Sequence, residues 1–280
     1  RDVGALLGMD MSALAARLAI GQEQAYRICA LMERVVRLTC AIEDFFEQGI
    51  ELVACTDRTY PARIAPYAPP VLFVCGKAHL LNARCVAIVG AMPPRGEAEA
   101  LARALVRDAS EHGYAILSGG AQGLEQIAEQ EAFACGARTI LLPAEPLANR
   151  IYAEGVSEMI ATGRCAAFSL ARPDAPAHPE HAAQRARCLY ALCRAAFVLA
   201  ADGMRGMSWE GAREALKARL CDAVYVWDTP LYAGNRPLLA MGAGAQGFSP
   251  GYDFGQLSSH WQDAQQLDAV GDRQHETHEA

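Results

Sequence analysis

Apolar and polar positions fall into successive regimes along the chain. Over residues 1–48 the apolar positions recur at helical spacing. Leu6, Leu7, Leu14 and Leu18 form one stripe, and Tyr26, Cys29, Met32 and Val36 form another, the pattern of amphipathic helices. A small helical domain over 1–48 is the expected result. Gly49 closes a helix, Leu52-Val53-Ala54-Cys55 reads as a short strand, and Tyr60-Pro61 opens a proline-rich stretch ending at Pro69-Pro70. Residues 49–70 are therefore read as a connector. From Val71 strands and helices alternate. Val86-Ala87-Ile88-Val89 is a continuous apolar run, as a parallel strand buried on both faces requires. Helix 97–112 follows, with Gly113 as its stop. The cycle then gives strand 115–117, helix 124–135, strand 139–142, helix 154–162 and strand 166–170. A proline-rich loop over 172–179 leads to helix 181–192, strand 196–200, helix 209–220 and strand 223–226. Such alternation predicts a Rossmann-like, doubly wound α/β fold with a mostly parallel sheet over 71–250. Residues 251–280 read as an acidic polar tail, disordered or a loosely docked helix.

No run of about 18 apolar residues is present, and the first residues have no signal-peptide core, so a cytoplasmic protein with no membrane contact is expected. Ten cysteines occur without a Cys-x-x-Cys pair or zinc spacing; most are expected to be small buried hydrophobes. Net charge is −7, which argues against a polyanion partner until its distribution is read. Residues 251–280 carry six acids and one Arg273. Between His181 and Arg219, by contrast, seven basic residues face three acids. Screening confines each charge to about 8–10 Å, so the local stretch matters more than the total.

Ligands of open parallel sheets bind beyond the carboxyl ends of the strands, where loops enter helix N-termini. Three such loops hold glycine. Ser118-Gly119-Gly120-Ala121-Gln122-Gly123 is the strongest, because unhindered N–H groups and the Ser118 hydroxyl suit an anion. The loop from Gly90 to Gly96 contains Pro93 and Pro94, which lack N–H groups, although Arg95 can compensate. The third loop contains Gly203, Arg205 and Gly206. Arg185 and Arg187 are basic candidates, but two positions two residues apart on a helix point about 200° apart. No catalytic residue, metal ligand or cofactor is expected.

The order of these signals resembles the DNA-processing protein A (DprA/Smf) family. Tyr60-Pro61 and Pro69-Pro70-Val71-Leu72-Phe73-Val74-Cys75-Gly76 are similar to its entry segment. Val86-Ala87-Ile88-Val89-Gly90 and Ile116-Leu117-Ser118-Gly119 are similar to its strand-and-glycine motifs. Arg185-Ala186-Arg187-Cys188-Leu189 resembles its paired-arginine helix, and Gly234-Asn235 through Gly242-Ala243 its closing motif. The resemblance covers about residues 40–245. It implies an extended Rossmann domain that binds single-stranded DNA, helps load a recombinase during DNA uptake and recombination, and is often dimeric. It implies no established catalytic activity. The phosphate-contacting candidates become Gly90, Arg95, Ser118, Gly119, Gly120, Gly123, Arg185, Arg187, Arg205, Gly206 and Asn235. The chain departs from the family pattern at Met92, Glu129, Ala186 and Ala200, and no winged-helix module is visible after Ala243. The alternative is a Rossmann-fold sensor or hydrolase of a nucleotide-derived small ligand. Gly203, Gly206 and Glu210 partly resemble the glycine loop of LOG-type phosphoribohydrolases, while Met204 and Met207 do not fit it.

Overall fold

A computed structural model describes residues 3–6, 8–90, 93, 95–176, 178–201, 203–204, 206–242 and 244–259. The chain divides into two compact units, residues 1–50 and 51–280. Among the described residues no helix is long and apolar enough to cross a membrane.

The first unit holds α1 (Met11–Leu18), α2 (Gln22–Met32) and α3 (Val35–Glu47). Asp10 caps α1, its carboxylate accepting the Ala13 N–H at 2.8 Å, as N-cap acids do. Leu14 of the first stripe is fully buried while Leu18 is 36% exposed, and the second stripe also differs from expectation. Ala25 is the buried residue of α2, while Tyr26 is 65% exposed.

The second unit opens with β1 (Ile50–Ala54), whose first residue lies at the division, and continues with β2 (Val71–Gly76), β3 (Cys85–Gly90) and α4 (Ala98–Glu111). Next come β4 (Ala115–Ser118), α5 (Leu124–Ala134), β5 (Thr139–Leu141), α6 (Leu147–Arg150) and α7 (Val156–Ala161). The remainder is β6 (Cys165–Ser169), α8 (Pro179–Leu192), β7 (Ala195–Ala200), α9 (Gly206–Ala218), β8 (Ala223–Trp227), α10 (Asn235–Ala240) and β9 (Ala245–Phe248). The strands form one sheet in the order β1-β2-β6-β5-β4-β3-β7-β8-β9. It is parallel from β6 to β9, and β2 pairs antiparallel with β6. The mostly parallel doubly wound fold read from the sequence is the fold observed.

Alternate residues of each strand face different cores. Cys85, Ala87 and Val89 pack with Cys188, Leu192 and Trp209 on one face. Val86 and Ile88 pack with Leu101, Leu105 and Leu124 on the other. Helices therefore cover both faces, which is why the strands are apolar throughout. The Tyr60-Pro61 and Pro69-Pro70 motifs are part of the framework: the Tyr60 hydroxyl donates to Pro69 O at 2.5 Å, and Cys55 N–H to Pro70 O at 2.8 Å.

Several elements were not anticipated. β9 adds a parallel strand after β8, and the helix expected over 154–162 is shorter, with α6 before it. Residues after 250 do not all form a loose tail. Tyr252 donates to Asp108 Oδ2 at 2.5 Å, Tyr225 donates to Leu257 O at 3.0 Å, and Phe254 is 3% exposed against Phe197. Residues 260–280 lie outside the described residues. Cysteine burial is mixed. Cys75, Cys85, Cys165, Cys188 and Cys193 are buried free thiols, whereas Cys40, Cys55 and Cys135 are exposed.

Candidate functional site at the carboxyl edge of the sheet

The chain winds outward from β3 through β4 and β5 to β6, then returns to place β7 on the other side of β3. The loops after β3 and β7 leave in opposite directions, and this switch point is where an open sheet forms a crevice. Gly90 ends β3 there. A Cβ on it would lie 3.2 Å from Ala200 N and 3.3 Å from the Leu124 Cβ, so a side chain there would press on β7 and α5 where they approach β3 closely.

Beside it the Ser118–Gly123 loop leads into α5, with Gly120 and Gly123 at φ +72° and +93°. The local fold confirms a tight strand-to-helix turn. Its inward donors, however, are already engaged. Gly120 N–H donates to Ser118 Oγ at 3.0 Å, and Ala121 N–H donates to Glu125 Oε2 at 3.3 Å. Gly90 N–H donates to Glu125 Oε1, also at 3.3 Å. The Glu125 carboxyl, 7% exposed, thus occupies the place at the helix N-terminus where an external anion was expected. Burial raises its pKa, opposed by these two N–H bonds and by the nearby Arg185 charge.

Arg185 is directed inward. Its Nη1 donates to Gly119 O at 3.1 Å and to Leu142 O at 3.2 Å. Burial lowers its pKa, and Glu125 counteracts this. Arg187 points away and is ion-paired with Glu214 of α9, so the two arginines diverge as helical geometry demands.

A second buried carboxylate, Glu129, lies one turn further along α5 and is ion-paired with Arg150 of α6. Burial raises its pKa, offset by Arg150 and by the nearby Ser118 hydroxyl. Glu129 Oε2 and Arg150 Nε have no hydrogen-bond partner. These groups border a cavity of about 660 Å³ that also includes Gly120, Gln122, Gln126 and Glu145. On its open side Gly120 is unobstructed: a Cβ there would meet only Pro143 Cα, at 3.9 Å.

The other candidates lie elsewhere. Asn235 is completely buried. Its Oδ1 accepts from Ala201 N–H at 2.9 Å, and its Nδ2 donates to Leu199 O and Trp227 O, each at 2.9 Å. In this arrangement its side chain holds strand ends together and presents nothing to a ligand. Arg95 is exposed, and its backbone N–H donates to the Tyr232 hydroxyl at 3.0 Å. Gly206 opens α9, exposed and at φ +81°, while Arg205 and Met92 lie outside the described residues. The sequence reading missed the functions of Glu125 and Arg150 in shaping the site. Acids at 125 and 129, spaced i, i+4 directly behind a glycine loop, were the available signal. No set of three or more metal-ligating side chains is grouped among the described residues.

A doubly wound sheet with a glycine turn and a crevice at its switch point places the chain in the class of Rossmann-like α/β folds, in which ligands generally bind beyond the carboxyl ends of the strands. Residues 51–247 match the family model of DNA recombination-mediator protein A, and the chain belongs to that family of DNA-processing proteins. No curated protein sequence matches it significantly. Among solved structures it is similar to DNA processing protein A (DprA) from Streptococcus pneumoniae. That match is 21% identical at a TM-score of 0.61, covering 75% of this chain and 74% of the other. DNA processing protein A from Helicobacter pylori, whose structure is described for its single-stranded DNA binding mode, is 24% identical at a TM-score of 0.58. The match covers 71% of this chain and 90% of that one. At these identities the likeness establishes a shared fold.

Proposed function

We propose that this protein binds single-stranded DNA in DNA uptake and recombination, without sequence preference and without catalysing a reaction on it. The observation that carries the reading is the open face of Gly120 on a cavity of about 660 Å³ at the carboxyl edge, in a chain of this family. The inner side of the loop is filled by Glu125, so a strand meets the outer side, where Gly120, Gln122 and Gly123 can approach phosphate and sugar closely. A recombinase that takes over the strand, and a homodimer as the working form, complete the reading and rest on the family resemblance.

A nucleotide-derived small ligand is the second reading, in which its hydroxyl or amino groups donate to Glu129 and Glu145 of the cavity, acids that repel a phosphodiester. A hydrolytic version lacks support, because Glu210 is ion-paired with Arg213 on the outer side of α9.

The test is Gly120→Val with Gly120→Asn as control. Asparagine tolerates left-handed backbone, whereas a β-branched residue does not and also covers the loop. Folded Gly120→Val should bind an oligothymidylate about tenfold more weakly, about 1.4 kcal/mol, with Gly120→Asn less affected. Equal affinity in wild type and Val variant would remove the loop from the binding site.

A further inference from the structure

The opposite edge of the sheet carries the greater concentration of unpaired positive charge. The residue immediately before β3, β5, β6 and β7 is an arginine in each case: Arg84, Arg138, Arg164 and Arg194. Their carbonyls lie on the sheet ladder. Arg84 O accepts from Ala115 N–H, Arg138 O from Ile116 N–H and Arg164 O from Thr139 N–H, each at 2.8 Å. Strand pairing therefore sets the spacing of the row. Arg164 and Arg194 are separated by four strand intervals, or about 19 Å at about 4.8 Å each.

Contacts along the edge continue from one cation to the next. Lys77 Cε lies 3.5 Å from where a Gly163 Cβ would be, beside Arg164. Arg164 Nη1 donates to Gly136 O at 3.0 Å, and Arg138 Nη2 donates to Gly113 O at 2.5 Å. Arg84 sits over the Tyr114 ring, 5.2 Å from its centre. At the far end Asp222 binds Arg194 at 3.0 Å and Arg63 at 3.2 Å. Among the described residues Lys77, Arg84, Arg138 and Arg164 have no acidic partner within ion-pair distance, and all four are exposed. Glu158 of α7, six residues before Arg164, is the acid nearest any of them in sequence.

Part of this arrangement is structural. Arg138 and Arg164 reach carbonyls just past the ends of α4 and α5, where cations favour the helix dipole. Such caps explain single arginines. They do not account for Arg84 and Lys77, which cap no carbonyl among the bonds observed. A guanidinium has five N–H donors, and Arg138 and Arg164 each use one of them in the carbonyl bonds described. Neighbouring cations two strands apart are separated by about 10 Å, close to the screening length, so their fields overlap locally. At the carboxyl edge, by contrast, the partly buried Arg150 is ion-paired with Glu129 and Glu145, and the partly buried Arg185 lies beside Glu125.

We propose that this amino edge is a second nucleic-acid surface, distinct from the carboxyl-edge loop, that binds the phosphodiester backbone of DNA. The row is linear, exposed and fixed by backbone pairing, and its chemistry is shared by single strands and duplexes. The choice of DNA as the polyanion rests on the proposed function; the location does not.

The test uses the full chain with labelled single-stranded and duplex oligonucleotides of equal length, titrated across salt concentrations. Arg138→Gln with Arg164→Gln should flatten the single-strand slope of log K against log salt by about 1.4, at about 0.7 for each phosphate no longer neutralised. Arg138→Lys with Arg164→Lys should keep most of the slope. Lys77→Gln with Arg84→Gln, which disturbs no carbonyl cap, should also flatten it, while Gly120→Val lowers affinity with less change in slope. Loss of slope for duplex alone identifies duplex DNA as the ligand of this edge. Unchanged slopes for both DNAs in folded edge variants would overturn the proposal while leaving Gly120-dependent binding intact. A wild-type protein that binds neither DNA would overturn both.

Discussion

Arg185→Ala should lower the stability of the protein by about 2–4 kcal/mol and leave the salt slope of DNA binding unchanged. The guanidinium donates to Gly119 O and Leu142 O, and bonds from a charged donor contribute about 1.5–3 kcal/mol each. It also lies close to Glu125: both groups are near the Gly119 Cβ position, at 3.1 Å for Arg185 Nη1 and 3.2 Å for Glu125 Oε2. Removing the cation leaves a buried carboxylate without its compensating charge. Urea unfolding with an unchanged m-value measures the loss. In a double-mutant cycle with Glu125→Gln, the combined cost should be smaller than the sum, because the uncompensated charge is gone. A slope flattened by about 0.7 with full stability would instead make Arg185 a phosphate contact.

Asn235→Leu should be more damaging, costing roughly 3–6 kcal/mol. The replacement has similar volume but leaves Ala201 N–H, Leu199 O and Trp227 O without the partners that Asn235 supplies. Each buried unsatisfied group costs about 1–3 kcal/mol. The preceding glycine is constrained by the same packing: a Cβ on Gly234 would lie 2.2 Å from Gly203 O and 2.8 Å from Ala201 O. The Gly234-Asn235 motif therefore joins the ends of β7 and β8 to the start of α10. A urea midpoint shifted by less than about 1 kcal/mol equivalent would contradict this role.

The parallel strands were legible because burial on both faces leaves a continuous apolar run, and their glycine stops were equally plain. Pairing partners are not encoded in such runs, so neither the β3–β7 switch nor the antiparallel β2 could be read from them. The docked segment at 252–259 was hidden by its polar composition, since two aromatics, Tyr252 and Phe254, supply much of its anchoring. Tyr26 had the right spacing for a buried stripe, yet spacing does not say which face of α2 is covered. The Ser118–Gly123 turn was legible as an anion cradle by its glycines. What those residues could not show is that Glu125, from the helix the loop introduces, supplies the carboxyl group that fills it. Asn235 likewise was visible as part of a motif, while its buried backbone partners come from segments more than thirty residues away and from Trp227. The amino-edge arginines each precede a strand, but they become a row only once the strand order is known.

The account is tested most directly by titrating the full chain with a labelled oligothymidylate over a range of salt. It predicts saturable binding at physiological salt with an affinity tighter than about 100 µM, the weak limit of non-specific association. It also predicts a linear fall of log K with log salt, at about 0.7 for each phosphate neutralised. Binding weaker than that limit, or a slope near zero, would contradict the claim that this protein is a single-stranded DNA binder.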